Sequence, residues 1–222
     1  METKIIAFEG IDGSGKTLQE ELLHKRLREC GYTVMRKSFP DYSGFFGLQI
    51  GALLAGDVLR ADEIDSRSMC LWYALDRYAS FKYYKDGESD FLLLNRYTVS
   101  NAVYQAIREI DLGMEDNWAW VKRLEHKELG LPEPDLYILL DVEPQKAQQN
   151  VDKKGERDYV SGRDVYESQK GLLERARERY LRIASRETNF EIIKCMADGT
   201  IMSPETISDA VWAAVEKRGL TL

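Results

Sequence analysis

The chain has 222 residues, of which 44% are hydrophobic and 31% are charged, and its formal net charge is −7. This composition excludes a wholly disordered chain and a low-complexity architecture. An acidic chain without blocks of Lys and Arg is a poor candidate for general nucleic-acid or anionic-membrane binding. We therefore expect no nucleic-acid partner and no membrane association.

Cysteine usage and apolar runs bear on the location of the protein. The three cysteines are scattered and lie outside any CxxC spacing, which fits a reducing compartment and argues against a zinc site. The first ten residues show no signal-peptide pattern, and no apolar run approaches the roughly 18 residues of a membrane span. We expect a cytoplasmic protein.

Short apolar runs alternate with longer amphipathic stretches along the chain. The runs are continuous, as in parallel strands buried on both faces. The predicted strands are Lys4–Phe8, Thr33–Lys37, Phe91–Leu94, Leu136–Val142 and Phe190–Lys194. The predicted helices are Lys16–Cys30, Asp62–Tyr84, Thr98–Ile110, Asp116–Leu129, Pro144–Val151, Val160–Ser185 and Pro204–Lys217. This alternation predicts one α/β domain with a parallel sheet, spanning residues 1–222.

A glycine-rich loop joins the first predicted strand to the first helix. The segment Gly10–Thr17 has the sequence GIDGSGKT and matches the pattern GxxxxGK[ST]. Inward-pointing N–H groups and the helix N-terminus suit a polyphosphate. Lys16 is expected to reach the β- and γ-phosphates, and the Thr17 hydroxyl to bind Mg²⁺. The predicted phosphate-binding residues are Gly10, Asp12, Gly13, Ser14, Gly15, Lys16 and Thr17.

The class of phosphate-loop protein follows from further motifs. The NKxD guanine signature of GTPases does not occur in the sequence, and a small kinase fits the length best. Six segments then resemble thymidylate kinases, in order along nearly the whole chain. They are FEGIDGSGKT, SFPDYSGFFGLQI, LWYALDRYAS, NRYTVSNAVYQ, GLPEPDLYILLDV and GRDVYESQ. The resemblance implies a P-loop NTPase-type three-layer sandwich with about five parallel strands. It also implies ATP- and Mg²⁺-dependent phosphorylation of dTMP to dTDP, and a homodimer.

The resemblance also implies which residues bind dTMP. Tyr73 stacks on thymine and Arg77 donates to its O4, and their spacing of four places both on one helix face. Asn101 reads the base edge, and Tyr104 closes the 2′ position, which favours deoxyribose. Arg96 binds the acceptor phosphate, for which an Arg fork is well suited.

Other residues enter through the same resemblance. Asp12 contacts the sugar 3′-hydroxyl and the metal region, and the turn at Phe39–Pro40 places the aromatic Tyr42 against the nucleotide. The remaining substrate-binding candidates are Ser100, Asp164, Tyr166 and Glu167. Asp141 ends an apolar strand in the manner of a metal-binding aspartate, although the resemblance makes that strand mainly structural.

The polar stretch around residues 152–164 is either a solvated surface loop or a lid. Family members without an arginine in the phosphate loop supply that cation from the lid, and this chain has Gly13–Ser14 at the matching place. Arg157 and Arg163 are the candidates to meet the transferring phosphoryl group, and Lys153 and Lys154 lie nearby. Lid closure also excludes water. Asn150 stands near a position where the family often has another arginine.

One position departs from the family pattern. The DRY motif of the family begins with Asp, and this chain has Asn95. An amide brings no charge to hold a cation and cannot act as a general base. A nucleoside acceptor needs such a base, whereas a monophosphate offers an ionised oxygen with a second pKa near 6. Asn95 therefore favours a monophosphate acceptor.

Two alternatives remain open from the sequence. One is a deoxynucleoside kinase or another nucleoside monophosphate kinase. The other is a kinase-like nucleotide-binding protein with weak catalysis, which Asn95 and the incomplete arginine pattern suggest.

Overall fold

A five-stranded parallel sheet forms the centre of the computed structural model, which describes residues 2–57, 59–107, 117–154 and 171–221. The strands are β1 (Lys4–Glu9), β2 (Val34–Ser38), β3 (Phe91–Asn95), β4 (Leu136–Asp141) and β5 (Phe190–Lys194). Their order across the sheet is β2-β3-β1-β4-β5, and all neighbours are parallel. Strands β1, β3 and β4 are almost wholly buried, as expected of a sheet covered on both faces.

Helices flank this sheet. They are α1 (Lys16–Glu29), α2 (Phe45–Ala55), α3 (Ser66–Phe81), α4 (Thr98–Ala106), α5 (Trp118–Lys122), α6 (Pro144–Lys154), α7 (Leu172–Ala184) and α8 (Pro204–Lys217). A 3₁₀ turn covers Ala61–Glu63, and a π-helical segment, Arg123–Glu128, continues α5. Two short strands, β6 (Met196–Ala197) and β7 (Thr200–Ile201), form an antiparallel hairpin before α8.

The strand order places one edge of the sheet at a topological switch point. Strands β3 and β4 lie on either side of β1, and ligands of such sheets bind outside the carboxyl ends of the strands at this place. Glu9, Asn95 and Asp141 are the last residues of β1, β3 and β4. The sheet therefore gathers three polar side chains at the edge where the phosphate loop begins.

The predicted strands are confirmed to within one residue at each end. The third helix begins at Ser66 rather than Asp62, because Oδ1 of Asp65 accepts a hydrogen bond of 2.9 Å from the N–H of Ser68 and caps it. The prediction that helix Pro144–Val151 ends before Lys153 was wrong, since Lys153 and Lys154 lie in the last turn of α6.

Two further helix predictions need correction. A continuous helix over Val160–Ser185 was wrong at Gly171, which has a φ of 73° and precedes α7 at Leu172, and the part over residues 160–170 lies outside the described residues. The single helix expected over Asp116–Leu129 divides into α5 and the π-helical segment. Within the described parts of the chain, no helix combines the length and the apolar character that a bilayer crossing requires.

Candidate active site

The phosphate loop between β1 and α1 is closely packed. Gly10, Gly13 and Gly15 have φ values of 141°, 78° and 91°, a region that L side chains rarely adopt. A Cβ on Gly13 would lie 2.0 Å from the carbonyl oxygen of Ala147 in α6. Nζ of the buried Lys16 donates to the carbonyl oxygens of Gly10 at 3.0 Å and of Ile11 at 2.8 Å. The loop is therefore preformed, and its carbonyl oxygens hold the ammonium group of Lys16.

Helix α6 is also bonded to this loop by a side chain. Nδ2 of Asn150 donates to the carbonyl oxygen of Gly13 at 3.0 Å. Asn150 stands near a position where the family often has an arginine, and its amide contacts the loop backbone. The helix that leads toward the expected lid is thus hydrogen-bonded to the phosphate loop at Asn150 and packs closely against it at Ala147.

The carboxylate of Asp12 points toward an arginine and a tyrosine. Oδ1 of Asp12 accepts a hydrogen bond of 2.5 Å from Nη2 of Arg96, and Oδ2 accepts one of 3.1 Å from the Tyr104 hydroxyl. The Arg96 guanidinium carbon lies 5.3 Å from the centre of the Tyr104 ring. Three residues expected to bind the acceptor nucleotide therefore meet beside the phosphate loop.

The electrostatics of this group favour a permanent cation. Burial lowers the pKa of Arg96, but the Asp12 carboxylate, together with Tyr104, Tyr180 and Glu9, raises it, and the net result is a pKa well above its ordinary value. Burial, followed by the charge of Asp12, raises the pKa of Tyr104. Arg96 therefore stays charged and Tyr104 stays a neutral hydrogen-bond donor at any physiological pH.

Glu9 is a charged residue that the sequence analysis missed. It is fully buried, and its Oε1 accepts hydrogen bonds from the N–H groups of Tyr97 at 2.8 Å and Ser100 at 3.2 Å. Its Oε2 accepts from the Ser100 hydroxyl at 2.6 Å and the Tyr180 hydroxyl at 3.2 Å. Burial, with the charge of Glu9, raises the pKa of Tyr180. A charge ending a buried apolar strand was the signal that could have revealed it.

This buried carboxylate holds a strained backbone. Arg96 has a φ of 62°, a conformation that costs a bulky residue about 1–3 kcal/mol. The N–H of Arg96 donates to the carbonyl oxygen of Phe8 at 2.9 Å, and Glu9 binds the next N–H, that of Tyr97. Nη1 of Arg96 also donates to Oγ of Ser100 at 3.1 Å. These hydrogen bonds hold the backbone of Arg96 in its strained conformation, and this conformation turns the side chain toward Asp12.

A second buried cluster forms around Arg77 on α3. Its Nε and Nη2 each donate to the carboxylate of Glu125 at 2.6 Å. Nδ2 of Asn101, on α4, donates to Glu125 at 2.9 Å and to the carbonyl oxygen of Cys70 at 3.0 Å. Oδ1 of Asn101 is buried and has no hydrogen-bond partner among the described residues. The two residues expected to read the base edge are thus adjacent, and Glu125, which the sequence analysis missed, joins them.

The turn at Phe39–Pro40 is packed against the same helix. Phe39 is buried, its ring centre lies 6.0 Å from the Arg77 guanidinium carbon, and its peptide bond to Pro40 is cis. Oδ2 of the buried Asp76 accepts a hydrogen bond of 3.0 Å from the N–H of Asp41. Burial raises the pKa of Asp76, against the opposing effect of that hydrogen bond. Helix α3 therefore fixes the turn that precedes Tyr42.

Four other residues considered in the sequence analysis lie outside these two clusters. Tyr42 and Tyr73 are both half-buried, and Tyr73 packs against the core. Nδ2 of Asn95 donates to Oγ1 of Thr17 at 3.1 Å, which joins β3 to the metal-binding candidate. Both carboxylate oxygens of Asp141 accept from Arg177, at 2.6 and 3.1 Å, in keeping with a structural role.

The lid candidates cannot be placed in the same way. Arg157, Arg163, Asp164, Tyr166 and Glu167 lie outside the described residues. Their roles, and the lid itself, stay predictions from the sequence.

Comparison with known proteins now decides the family. The family model described as "Thymidylate kinase" matches residues 8–198. The chain belongs to the thymidylate kinase family. A thymidylate kinase from Mycobacterium tuberculosis is 33% identical over 187 residues, which are 82% of this chain and 86% of that protein. A probable thymidylate kinase from Sulfurisphaera tokodaii is 26% identical over 204 residues, which are 92% of this chain and 94% of that protein.

A solved structure agrees with the architecture of this thymidylate kinase family member. The chain superposes on a thymidylate kinase from Candida albicans with a TM-score of 0.75 at 19% identity, covering 99% of this chain and 93% of that one. The family and the P-loop NTPase-type three-layer sandwich predicted from the sequence are both confirmed. The predicted enzyme class, a kinase and hence a phosphotransferase, is also confirmed by the family model and the curated relatives.

Proposed function

We propose that the chain transfers the γ-phosphoryl group of ATP to dTMP, which yields dTDP. The observation that carries the proposal is the contact between Asp12 of the phosphate loop and Arg96 at the end of β3. It joins a site for the donor triphosphate to a cation that suits the acceptor phosphate. Phosphoryl transfer requires these two phosphates to be adjacent and in line, and catalysis then depends on positioning and charge stabilisation.

The donor half of the site suits ATP with Mg²⁺. Lys16 is held at the loop carbonyls and would exchange them for the β- and γ-phosphate oxygens. Thr17 and Asp12 offer the oxygen ligands that Mg²⁺ prefers, so these two residues would hold the ion. Once bound, the ion neutralises charge on the β- and γ-phosphates. Nδ2 of Asn95 leaves a lone pair on the Thr17 oxygen for that ion.

The acceptor half suits an ionised monophosphate. Arg96 is a permanent cation beside Asp12 and Ser100, so it can bind phosphate oxygens through its fork. No side chain need remove a proton from dTMP near neutral pH, because its phosphate oxygen is already the nucleophile. Asn95 is consistent with this chemistry, because a general base is needed only for a hydroxyl acceptor.

The nucleoside part of the site suits a deoxyribonucleotide of thymine. The unpartnered Oδ1 of Asn101 can accept a hydrogen bond from N3–H of the base, and Arg77 can donate to O4. The ring of Tyr104, beside Asp12 and Arg96, would oppose a 2′-hydroxyl on the sugar. The methyl group of thymine adds only about 1–3 kcal/mol of discrimination, so dUMP is expected to be a weaker substrate.

The remaining expectations are proposals of the same kind. A single cytoplasmic domain, residues 1–222, would act as a homodimer, with a lid at about residues 152–164 that closes on the phosphates. Apolar side chains on α2 and α3 support association, since Phe45, Leu48 and Leu71 are 70%, 57% and 44% exposed. Sedimentation velocity measures the association directly, and a monomer at micromolar concentration would exclude the dimer.

The test of the activity is ADP release by the purified protein with ATP, Mg²⁺ and one acceptor at a time. The acceptors are dTMP, dUMP, UMP, CMP and thymidine. We expect turnover of dTMP at about 1 s⁻¹ or faster and much slower turnover of thymidine. Asn95 also supports a second candidate, a kinase-like nucleotide-binding protein. An increase in melting temperature with dTMP, without turnover of any acceptor, would favour that candidate.

A further inference from the structure

Glu125 connects the two side chains that suit the base edge. It lies in the π-helical segment Arg123–Glu128 and is fully buried. Its two carboxylate oxygens accept hydrogen bonds of 2.6 Å from Arg77, and Oε1 accepts another of 2.9 Å from Nδ2 of Asn101. Single-turn π-helical segments are rare and are frequent at functional sites. One carboxylate therefore constrains a donor and an acceptor at once.

The first constraint is on the amide of Asn101. An amide nitrogen carries two protons, and here both acceptors, Oε1 of Glu125 and the carbonyl oxygen of Cys70, face it at 2.9 and 3.0 Å. Neither acceptor could bond to an amide oxygen in its place. The amide is therefore fixed with Oδ1 on the other side, where it is buried and unpartnered among the described residues.

The second constraint is on the guanidinium of Arg77. Glu125 binds its Nε and Nη2, which fixes the plane of the fork and leaves Nη1 outside the ion pair. Burial lowers the pKa of Arg77, but the charge and hydrogen bonds of Glu125, together with Tyr97 and Asp76, raise it, and the net pKa is raised. Arg77 consequently presents donors only, beside an amide that presents an acceptor.

We infer that Glu125 is a positioning residue that sets the base specificity of the site. The inference rests on the proposed function and extends it. Thymine and uracil present an O4 acceptor next to an N3–H donor, which matches Arg77 and the fixed Oδ1 of Asn101. Cytosine presents an amino donor next to an N3 acceptor, so both contacts would become repulsive. Without the carboxylate of Glu125, only the carbonyl oxygen of Cys70 holds the amide of Asn101, so the amide turns over more easily and can donate to N3 of cytosine.

The experiment measures kcat/KM for dTMP and for dCMP in the wild-type protein and in Glu125→Gln. We expect the wild type to favour dTMP by at least about 100-fold, since a site built for one set of hydrogen bonds strongly rejects the inverse set. In Glu125→Gln the ratio should fall about tenfold or more, through the KM of the two nucleotides. The KM for ATP should not change. A merely structural role would lower both kcat/KM values in proportion and leave the ratio unchanged.

A second variant keeps the inference testable if Glu125→Gln fails to fold. Glu125→Asp retains a negative charge for the buried Arg77 but shortens the side chain, so it cannot bond to both Arg77 and Asn101 as Glu125 does. The ratio should again fall, by a smaller factor. The matched control is Glu20→Gln, because Glu20 is also buried and forms a bidentate ion pair, with Arg36, away from the base-reading pair. The control should leave the ratio unchanged.

The outcomes separate this inference from the proposed function. If the wild type phosphorylates dTMP and the ratio is unchanged in a folded Glu125 variant, the inference is wrong and the function stands. If the wild type has no turnover, the proposed function is wrong. The preference for dTMP over dCMP is then measured by calorimetry, as the ratio of the two dissociation constants. A wild type that binds dTMP and dCMP equally well would overturn the inference in either case.

Discussion

Asp12 and Arg96 form an ion pair across the mouth of the phosphate loop, with 2.5 Å between Oδ1 and Nη2. The carboxylate belongs to the loop that suits the donor nucleotide, and the guanidinium follows the strand that ends beside it. A phosphate brought to Arg96 would compete with Asp12 for the same N–H groups. The pair therefore neutralises the cation before substrate arrives and marks where the two phosphates would meet.

The first prediction concerns the packing of the phosphate loop against α6. Gly13→Ala places a methyl group 2.0 Å from a backbone oxygen at a φ of 78°, so the loop or the helix must move. We expect the free energy of unfolding to fall by more than about 2 kcal/mol. We also expect the variant to lose ATP binding. Gly31→Ala is the control, since Gly31 has a φ of 91° and a Cβ there would meet no atom of the described residues within 4 Å. It should cost about 1 kcal/mol and leave ATP binding intact. Equal losses in both variants would contradict the packing argument.

The second prediction concerns the buried carboxylate of Glu9. Glu9→Gln replaces an acceptor of four hydrogen bonds by an amide whose NH₂ group faces the hydroxyls of Ser100 and Tyr180. We expect chemical denaturation to show a loss of about 1–3 kcal/mol. Because Arg96 also bonds to Ser100, the KM for dTMP should rise more than the KM for ATP. Equal changes in the two KM values would assign Glu9 to stability alone.

The third prediction concerns Asn95, which donates to the Thr17 hydroxyl. Asn95→Asp adds a negative charge next to the expected Mg²⁺ ligand. The Mg²⁺ concentration for half-maximal activity should therefore fall by about three- to tenfold. Asn189→Asp is a matched control, because Nδ2 of Asn189 donates to the carbonyl oxygen of Pro134. No change in the Mg²⁺ dependence of Asn95→Asp would place the ion elsewhere.

The sequence predicts the sheet and the phosphate loop well, because both depend on local pattern. Continuous apolar runs identify β1 and β3, and the GxxxxGKT spacing identifies the loop. The ion pair of Arg77 with Glu125 joins residues 48 apart, and the bonds of Glu9 to Ser100 join residues 91 apart. Only the packed fold brings such partners together, so no periodicity reveals them. The two-residue strands β6 and β7 are likewise too short to show a pattern.

The fourth prediction concerns stability at high pH. Burial is the leading cause of a raised pKa at five of the described tyrosines. They are Tyr84, Tyr97, Tyr104, Tyr137 and Tyr180. Above pH about 10 the unfolded chain loses these protons while the folded chain keeps them. The free energy of unfolding should then fall as pH rises, by up to about 1.4 kcal/mol per pH unit for each tyrosine, and these groups should have no effect below pH 9.

Absorbance and melting curves between pH 8 and 11 measure this effect. Tyr137→Phe should make the free energy of unfolding fall less steeply with pH, by the contribution of one tyrosine. The exposed Tyr83 provides the control, and Tyr83→Phe should not change the slope. Ionisation of all tyrosines near pH 10 in the folded protein would contradict the prediction.

The most direct measurement follows dTMP and ATP by ³¹P NMR with Mg²⁺ and either the wild-type protein or Arg96→Met. The wild type should convert dTMP to dTDP. Arg96→Met should slow the reaction by a factor of about 100 or more, while ATP still raises the melting temperature of the variant. Failure of the wild type to form dTDP, or full activity of a folded Arg96→Met variant, would contradict the central claim that Arg96 and the phosphate loop form one phosphoryl-transfer site.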